Sequence, residues 1–188
     1  ETLVNLIFGN RITFFVLIIL ELIAVGTLPA LINRMSALMA TAIFIGYSAL
    51  NGLTLSVIFL VFTTESIAST FFITAGTFGV MSLYGYFTKS DLSKWGNLLF
   101  MGLIGLIIAS IANFFMKSTM IYWITTFVGV IIFVGLTAYD TQKIKNTNVI
   151  GNEGTDEDSK EAIMGALTLY LDFINLFLYL LRIFGRKK

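Results

Sequence analysis

The stretch MSALMATAIFIGYSALNGLTLSVIFLVFTT, residues Met35–Thr64, runs for 30 residues without a charged side chain. A helix needs about 20 mostly apolar residues to cross the hydrocarbon layer of a membrane, so this stretch predicts a transmembrane helix. Three further uncharged stretches, of 23, 22 and 22 residues, are also long enough: Ser66–Thr88, Trp95–Met116 and Ser118–Tyr139. Together the four stretches indicate an integral membrane protein.

The composition of the whole chain agrees with this interpretation. Of the 188 residues, 57% are hydrophobic and only 12% are charged, whereas an average soluble domain carries about 25% charged residues. The net charge of +1 excludes a basic protein that binds nucleic acid. The sequence contains no Cys and no His, which removes disulfides, thiol chemistry and imidazole ligands. No phosphate-binding loop or nucleophile arrangement is recognisable, so we expect no enzymatic activity and no cofactor.

The uncharged stretches and two flanking segments predict six helices. The central four are expected near Leu38–Phe62, Ile67–Phe87, Asn97–Met116 and Ile121–Tyr139, and the flanking two near Ile12–Asn33 and Ala162–Leu181. The sequence therefore predicts an all-α integral membrane protein, with residues 1–188 forming a single transmembrane helical domain.

The longest predicted connection is residues 141–160, which have the polar and glycine-containing composition of a solvated loop. This segment includes a cluster of acids, namely Glu153, Asp156, Glu157 and Asp158. Their spacing does not fit an EF-hand calcium loop. We therefore interpret the cluster as part of a mobile surface loop.

Three acids lie inside or at the end of predicted spans: Glu21, Asp140 and Asp172. A charge at mid-bilayer costs about 2.5–3.5 kcal/mol even on the lenient insertion scale, so such acids are functional candidates. For Glu21, a role in an ion path and a role in packing both stay open. Asp140 either has a function or marks the interfacial end of its helix. Asp172 is the strongest functional candidate.

The last span carries a stripe of polar residues around Asp172. Their spacings of 4, 3, 4 and 3 place them on one face of a helix; they are Thr168, Asp172, Asn175, Tyr179 and Arg182. The opposite face carries Leu167, Leu171, Ile174, Leu178 and Leu181. We expect the polar stripe to point into the bundle, toward partner helices or water. The alternative is a packing network in which these side chains only satisfy one another.

Two further patterns indicate contacts between helices. Small residues at Gly102, Gly105, Ala109 and Ala112 are expected to let neighbouring helices approach closely. A milder polar stripe at Thr70, Thr74, Thr77 and Tyr84 is expected to form hydrogen bonds between helices.

Three blocks of the sequence resemble a known family. They are SIASTFFITAGTFGVMSLYGYFTKSDLS (Ser66–Ser93), GLTAYDTQKIK (Gly135–Lys145) and ALTLYLDFINLFLYLLRIFG (Ala166–Gly185). These blocks are similar to the transmembrane Bax inhibitor motif family, the Bax inhibitor-1 group, and most closely to its bacterial members. The resemblance covers essentially the whole chain. It implies seven helices in a full-length chain located in a bacterial inner membrane, and the helix not seen here would be the first.

The resemblance also implies a function, because family members are pH-sensitive calcium-leak proteins. In them, two aspartates on the last two helices form a pair that closes the pore when protonated; they match Asp140 and Asp172. A glutamate on the calcium path matches Glu21. An arginine that can form a contact with the first aspartate matches Arg34. In this sequence Pro29 lies between Glu21 and Arg34. By this resemblance, the two aspartates and Glu21 would hold calcium transiently.

Physical chemistry supports such a gate. Two carboxyl groups at hydrogen-bonding distance in a low-dielectric site cannot both ionise cheaply, so they share one proton and titrate as a unit. Loss of that proton sets two negative charges against each other and favours separation or the capture of calcium, which takes oxygen ligands.

Two other functions stay open. Some bacterial relatives bind and restrain a membrane-anchored ATP-dependent protease, which would make this chain an interaction protein without transport. A proton-coupled secondary transporter would also use buried carboxylates, although the sequence shows no repeat of the kind that such transporters carry. The partners expected are thus the lipid bilayer, calcium ions and, in the alternative, the protease.

Overall fold

The computed structural model of the protein describes residues 11–147 and 154–188, apart from the side chains of residues 11–15. The helices are α1 (Arg11–Leu31), α2 (Ala37–Leu55), α3 (Ile58–Val61), α4 (Thr64–Phe87), α5 (Ser93–Met116), α6 (Thr119–Thr147) and α7 (Asp156–Phe184), with a 3₁₀ turn at Ile32–Arg34. Within the described ranges, six segments are long and apolar enough to cross a membrane. The prediction of an all-α protein with six spans is confirmed.

The described residues fall into two compact units. The first contains the residues up to Phe62, the beginning of α7 as far as Leu167, and Lys188; the second contains Thr63 to residue 147 and Thr168–Lys187. The single domain over residues 1–188 stays a prediction, and each unit is described by itself.

In the first unit α1 packs against α2, and the buried side chains include Leu28, Ala40 and Tyr47. Pro29 lies inside the last turn of α1, where its ring removes a backbone donor. The chain tightens into the 3₁₀ turn directly after the helix ends at Leu31. Ser36 then begins α2, since its hydroxyl accepts a hydrogen bond from Met39 N at 3.3 Å.

The second span is a broken helix, which corrects the single helix expected over Leu38–Phe62. Regular α2 ends at Leu55, and one further turn, α3, follows after Val57. The Ser56 hydroxyl donates to Leu53 O at 2.6 Å, and Gly52 lies one turn earlier. Glycine and serine near one another are a common cause of helix kinks.

In the second unit α6 has the central position, because both α4 and α5 pack along it. Its contacts depend on glycines: a methyl group added at Gly85 would lie 2.1 Å from Ala138 O, and one at Gly96 would lie 2.4 Å from the Tyr139 ring. The predicted small-residue stripe is correct only in part. Gly102 meets Ile132, but Gly105 has nothing within 4 Å.

The part of α7 that belongs to the second unit packs through large side chains. Phe173 lies edge-to-face on Phe71 and Phe78, with ring centres 5.6 and 5.4 Å apart. Leu176 and Leu180 join the buried cluster that is formed with Phe133 and its neighbours on α5 and α6. These bulky contacts support α7 on the faces that do not line the cavity described below.

The threonines of α4 are a further correction. Thr70 and Thr74 are fully buried, but their hydroxyls donate to carbonyls one turn back in the same helix, at 2.7 and 2.8 Å, and Thr77 does likewise at 2.9 Å. The expected hydrogen bonds from these residues to other helices are therefore not formed.

Most of the connection predicted at 141–160 that the structure describes is helical. Helix α6 continues to Thr147, and α7 begins at Asp156. The Thr155 hydroxyl accepts from Asp158 N at 3.1 Å, and the acids in the first turn favour the positive end of the helix dipole. The acids Asp156, Glu157 and Asp158 thus form a helix start instead of a mobile loop; Glu153 lies outside the described residues.

Candidate functional site

The two predicted aspartates lie together in the second unit. Asp140 is on α6 and Asp172 is on α7, and their carboxyl groups are within hydrogen-bonding reach of each other. Asp172 is only 4% exposed, whereas Asp140 is half-buried. Asp140 does not mark a helix end, because α6 continues for two more turns to Thr147. The alternative that Asp140 marks the end of its helix is therefore wrong, whereas its position relative to the membrane surface stays a prediction.

One oxygen of the pair lacks a hydrogen-bond donor. Asp172 Oδ2 is buried and has no partner among the described residues. A buried polar atom without a partner costs free energy, and two ionised carboxylates offer each other only acceptors. A proton shared between Asp140 and Asp172 would supply a donor that two ionised carboxylates cannot. The geometry can thus hold one shared proton in a protected place.

Lys143 lies close enough to Asp140 to act on its charge. It follows Asp140 by three residues and so lies on the same face of α6. An ammonium group at this position attracts a negative charge on Asp140, whereas a negative charge on Asp172 repels it. The sequence analysis missed Lys143, although its spacing from Asp140 was visible.

The pair lines a cavity of about 750 Å³ in the second unit. The cavity is bounded by α5, α6 and α7, and its polar side chains are Asn97, Ser110, Tyr139, Asp140, Lys143, Thr168, Asp172, Asn175, Tyr179 and Arg182. All five residues of the polar stripe on the last helix thus line it. Leu171 lines it as well, so the assignment of Leu171 to the opposite face is wrong, while Leu178 is not among the lining residues.

The Tyr179 side chain is closely packed against its neighbours in the cavity wall. A methyl group added at Gly129 would lie 2.7 Å from the Tyr179 ring, and Phe133 stacks on that ring with centres 5.8 Å apart. Ser110 lies within hydrogen-bonding reach of the Tyr179 hydroxyl. The Ser110 hydroxyl itself donates to Leu106 O at 2.7 Å, which leaves its oxygen to accept from Tyr179.

Gln142, two residues after Asp140 on α6, forms hydrogen bonds with the loop between α4 and α5. Its Oε1 accepts from Leu92 N at 2.9 Å, and its Nε2 donates to Ser90 O at 2.8 Å. In the same loop, hydrogen bonds from the side chain and backbone of Ser93 lower the pKa of the exposed Asp91. Sequence reasoning missed Gln142, because both of its partners are about 50 residues away.

Glu21 lies in the first unit, half-buried on α1. The Thr54 hydroxyl of α2 donates to Glu21 Oε1. Tyr47 is close enough to interact electrostatically with the Glu21 carboxylate. Asn51 Nδ2 donates to the Tyr47 hydroxyl at 2.9 Å. The carboxylate therefore has polar neighbours on α2, although its role in an ion path stays a prediction.

Arg34 ends the 3₁₀ turn after α1 and is exposed; its predicted contact with Asp140 also stays a prediction.

Glu161, at the beginning of α7, has a buried oxygen, Oε2, without a partner among the described residues. Sequence reasoning missed Glu161, which falls between the loop predicted at residues 141–160 and the helix predicted from Ala162. No group of three or more His, Cys, Asp or Glu side chains that could hold a metal ion occurs in the described part of the chain.

Comparison with known proteins identifies relatives across nearly the whole chain. Residues 2–188 match the family described as the inhibitor of apoptosis-promoting Bax1. The inner membrane protein YbhL of Escherichia coli strain K12 is 58% identical over 185 residues, which cover 98% of this chain and 79% of that protein. The resemblance inferred from the sequence is thereby confirmed.

Other bacterial relatives extend the match. An uncharacterized protein of Borreliella burgdorferi is 46% identical over 188 residues, covering 100% of this chain and 81% of that protein. The protein YrjE of Lactococcus lactis is 43% identical over 177 residues, covering 94% and 74%. The inner-membrane location in the name of YbhL agrees with the predicted location of this chain. The family and its named relatives indicate a membrane protein and no enzyme class.

Proposed function

The chain belongs to the family of the inhibitor of apoptosis-promoting Bax1, and on this premise we propose that it is a pH-sensitive calcium-leak channel of the inner membrane. The buried Asp172 oxygen without a donor, next to Asp140, carries the proposal. The gate is the proton shared by these two residues. It controls passage along the cavity that the pair lines.

In the closed state the shared proton joins α6 to α7. Asp140 and Asp172 are on different helices, so a hydrogen bond between them holds those helices together. The proton also removes one of two negative charges from a site that excludes most water. The closed state is therefore favoured at low pH.

In the open state the proton is lost and two carboxylates face each other. Their repulsion separates α6 from α7, and Lys143 stabilises the ionised form of Asp140. Both carboxylates then attract calcium, a hard cation that prefers oxygen ligands. With few carboxylates present, binding stays weak enough for release, which a conducting path requires. Glu21 supplies another carboxylate to the path in this proposal.

The test is calcium flux into proteoliposomes that contain a calcium-sensitive dye, measured over a series of pH values. The parent protein is expected to conduct more as pH rises, by up to about tenfold per pH unit if one proton controls the gate. Asp172→Asn and Asp140→Asn should both lose this dependence, because an amide has no titrating proton. Glu157→Gln removes an exposed acid outside the cavity and should keep the parent profile.

A parent profile in both aspartate variants would contradict the proposal. A channel would then remain, but its pH dependence would come from groups other than this pair. A parent that conducts no calcium at any pH would contradict the channel itself, and the hypothesis of an interaction protein that modulates a membrane-anchored protease would take its place.

A further inference from the structure

The cavity lining carries charges of both signs, because Lys143 lies beside the carboxyl pair and Arg182 lies further along α7. Asp172 and Arg182 both line it and are ten residues apart on α7, which corresponds to about 15 Å along a helix. The carboxyl pair has been assigned to the gate, whereas Arg182 has no part in that mechanism. A cation in the lining of a path for calcium requires its own explanation.

Two tyrosines hold the guanidinium of Arg182. Its central carbon lies 4.8 Å from the centre of the Tyr179 ring and 5.6 Å from the centre of the Tyr122 ring. A guanidinium over an aromatic face is attracted by the negative charge density of the ring, and its planar shape favours stacking. Tyr122 comes from α6 and Tyr179 from α7, so the cation joins the two helices that the carboxyl pair also joins.

The ring beneath the guanidinium is itself fixed in place. Gly129 and Phe133 pack against the Tyr179 ring, and Ser110 is in reach of its hydroxyl. Arg186, four residues further along the chain and past the end of α7, is not among the lining residues. The placement of Arg182 is therefore specific to the cavity and is not shared by the next basic residue.

Resting on the proposed function, we propose that Arg182, clamped between Tyr122 and Tyr179, is a second barrier in the path. It limits the passage of divalent cations and determines charge selectivity, separately from the carboxyl pair. A fixed positive charge about 6 Å from a divalent ion in water-like surroundings lowers the local concentration of that ion about tenfold. For a monovalent cation the same charge lowers the concentration only about threefold.

The first test measures ion flux in proteoliposomes for Arg182→Gln, with Arg186→Gln as the matched control. Arg182→Gln should raise calcium flux about tenfold and potassium flux about threefold at each pH, by the repulsion just given. The pH midpoint should stay at the parent value, because about 15 Å of separation exceeds the Debye length. Arg182→Lys should give a smaller rise, since it keeps the charge and loses the planar stacking. Equal fluxes for the parent, Arg182→Gln and Arg186→Gln would overturn the proposal and make Arg182 an interfacial anchor.

The second test does not depend on conduction. The chain has no Cys, so Asn175→Cys places a single thiol on the cavity wall between the pair and the clamp. In this background, Arg182→Gln should increase the rate of a cationic, water-soluble thiol reagent relative to an anionic one at matched pH. Leu178→Cys, which is not on the cavity wall, should show no such change.

The two tests separate the barrier from the gate. An unchanged ratio of the two labelling rates would overturn the role of Arg182 even in a protein that conducts calcium. A changed ratio in a protein that conducts none would support the barrier and contradict the calcium-leak function. Loss of pH dependence in Asp172→Asn concerns the gate alone.

Discussion

Glycines show how differently the two units of the protein are built. In the second unit, added methyl groups at Gly85 and Gly96 would collide with α6, and one at Gly129 would collide with α7. In the first unit, Gly26 and Gly46 have nothing within 4 Å. The second unit therefore depends on close approach between helices at some of its glycines, although Gly76, Gly79 and Gly105 have nothing within 4 Å. Gly26 and Gly46 of the first unit take part in no such approach.

The acids of the two units also differ, in how deeply they are buried and in whether they have a hydrogen-bond donor. Asp172 is buried in the closely built unit and has an oxygen without a donor. Glu21 is half-buried in the more open unit and receives a hydrogen bond from Thr54. Glu21 thus has a donor on the neighbouring helix, whereas one oxygen of Asp172 has none among the described residues. The comparison teaches that close packing, more than the presence of an acid, leaves a buried carboxylate oxygen without a donor.

The largest effect is expected from Gly85→Ala. Its new methyl group would lie 2.1 Å from the backbone oxygen of Ala138, which cannot move without shifting α6. The loss of stability should reach or exceed the upper end of the roughly 1–3 kcal/mol typical of overpacking. Thermal unfolding in detergent measures this loss.

Gly46→Ala is the control in the first unit. Because nothing surrounds Gly46 and alanine favours helices, stability should be unchanged or rise by up to about 1 kcal/mol. Equal destabilisation by both substitutions would refute the difference in packing between the two units.

The next effect concerns polar contacts. Gln142→Leu keeps the size of the side chain but leaves the N–H of buried Leu92 without its acceptor. The free energy of unfolding should fall by about 1–3 kcal/mol, measured by thermal unfolding in detergent. Gln142→Glu keeps an acceptor for Leu92 and should cost less. Asn51→Leu in the first unit removes a hydrogen bond within one helix and should also cost less; a larger loss there would reverse the comparison.

Sequence reasoning predicted the six spans because charged groups are excluded from the hydrocarbon layer whatever the neighbours are. It placed the end of α6 too early, because Asp140, Lys143 and Lys145 end the apolar stretch but not the helix. Interruption of apolar character locates the membrane surface, whereas the end of a helix depends on capping and backbone hydrogen bonds. The break after Leu55 escaped notice for the same reason, since Ser56 and Val57 do not interrupt the apolar pattern.

The candidate site was predicted to a similar degree. Family motifs identified Asp140 and Asp172, and helical spacing identified the polar stripe. Neither source could show which oxygen lacks a donor, since that depends on every atom around Asp172. The position of Leu171 on the cavity wall also escaped prediction. Its neighbour Asp172 lies only about 100° around the helix, so a wide cavity reaches both.

The smallest effect is expected from Glu21→Gln. Loss of one carboxylate from the proposed path should lower calcium flux by up to about tenfold, since an attractive charge near the ion is removed. The pH midpoint should stay at the parent value, because Glu21 is not a member of the pair. Thr54→Val removes the donor to Glu21 and should change flux less. Undiminished flux with normal folding would assign Glu21 to packing, and a shifted midpoint would make it part of the gate.

The threonines of α4 and α6 affect how easily these helices can move. Thr70, Thr74, Thr125, Thr126, Thr137 and Thr141 all donate to carbonyls one turn back in their own helix. Each hydroxyl thus carries its acceptor with it when its helix shifts. Sliding or tilting of α4 against α6 breaks none of these bonds and exposes no new unsatisfied donor to lipid. The hydroxyls therefore pack like small apolar groups. They form no hydrogen bond that would hold one helix to the other.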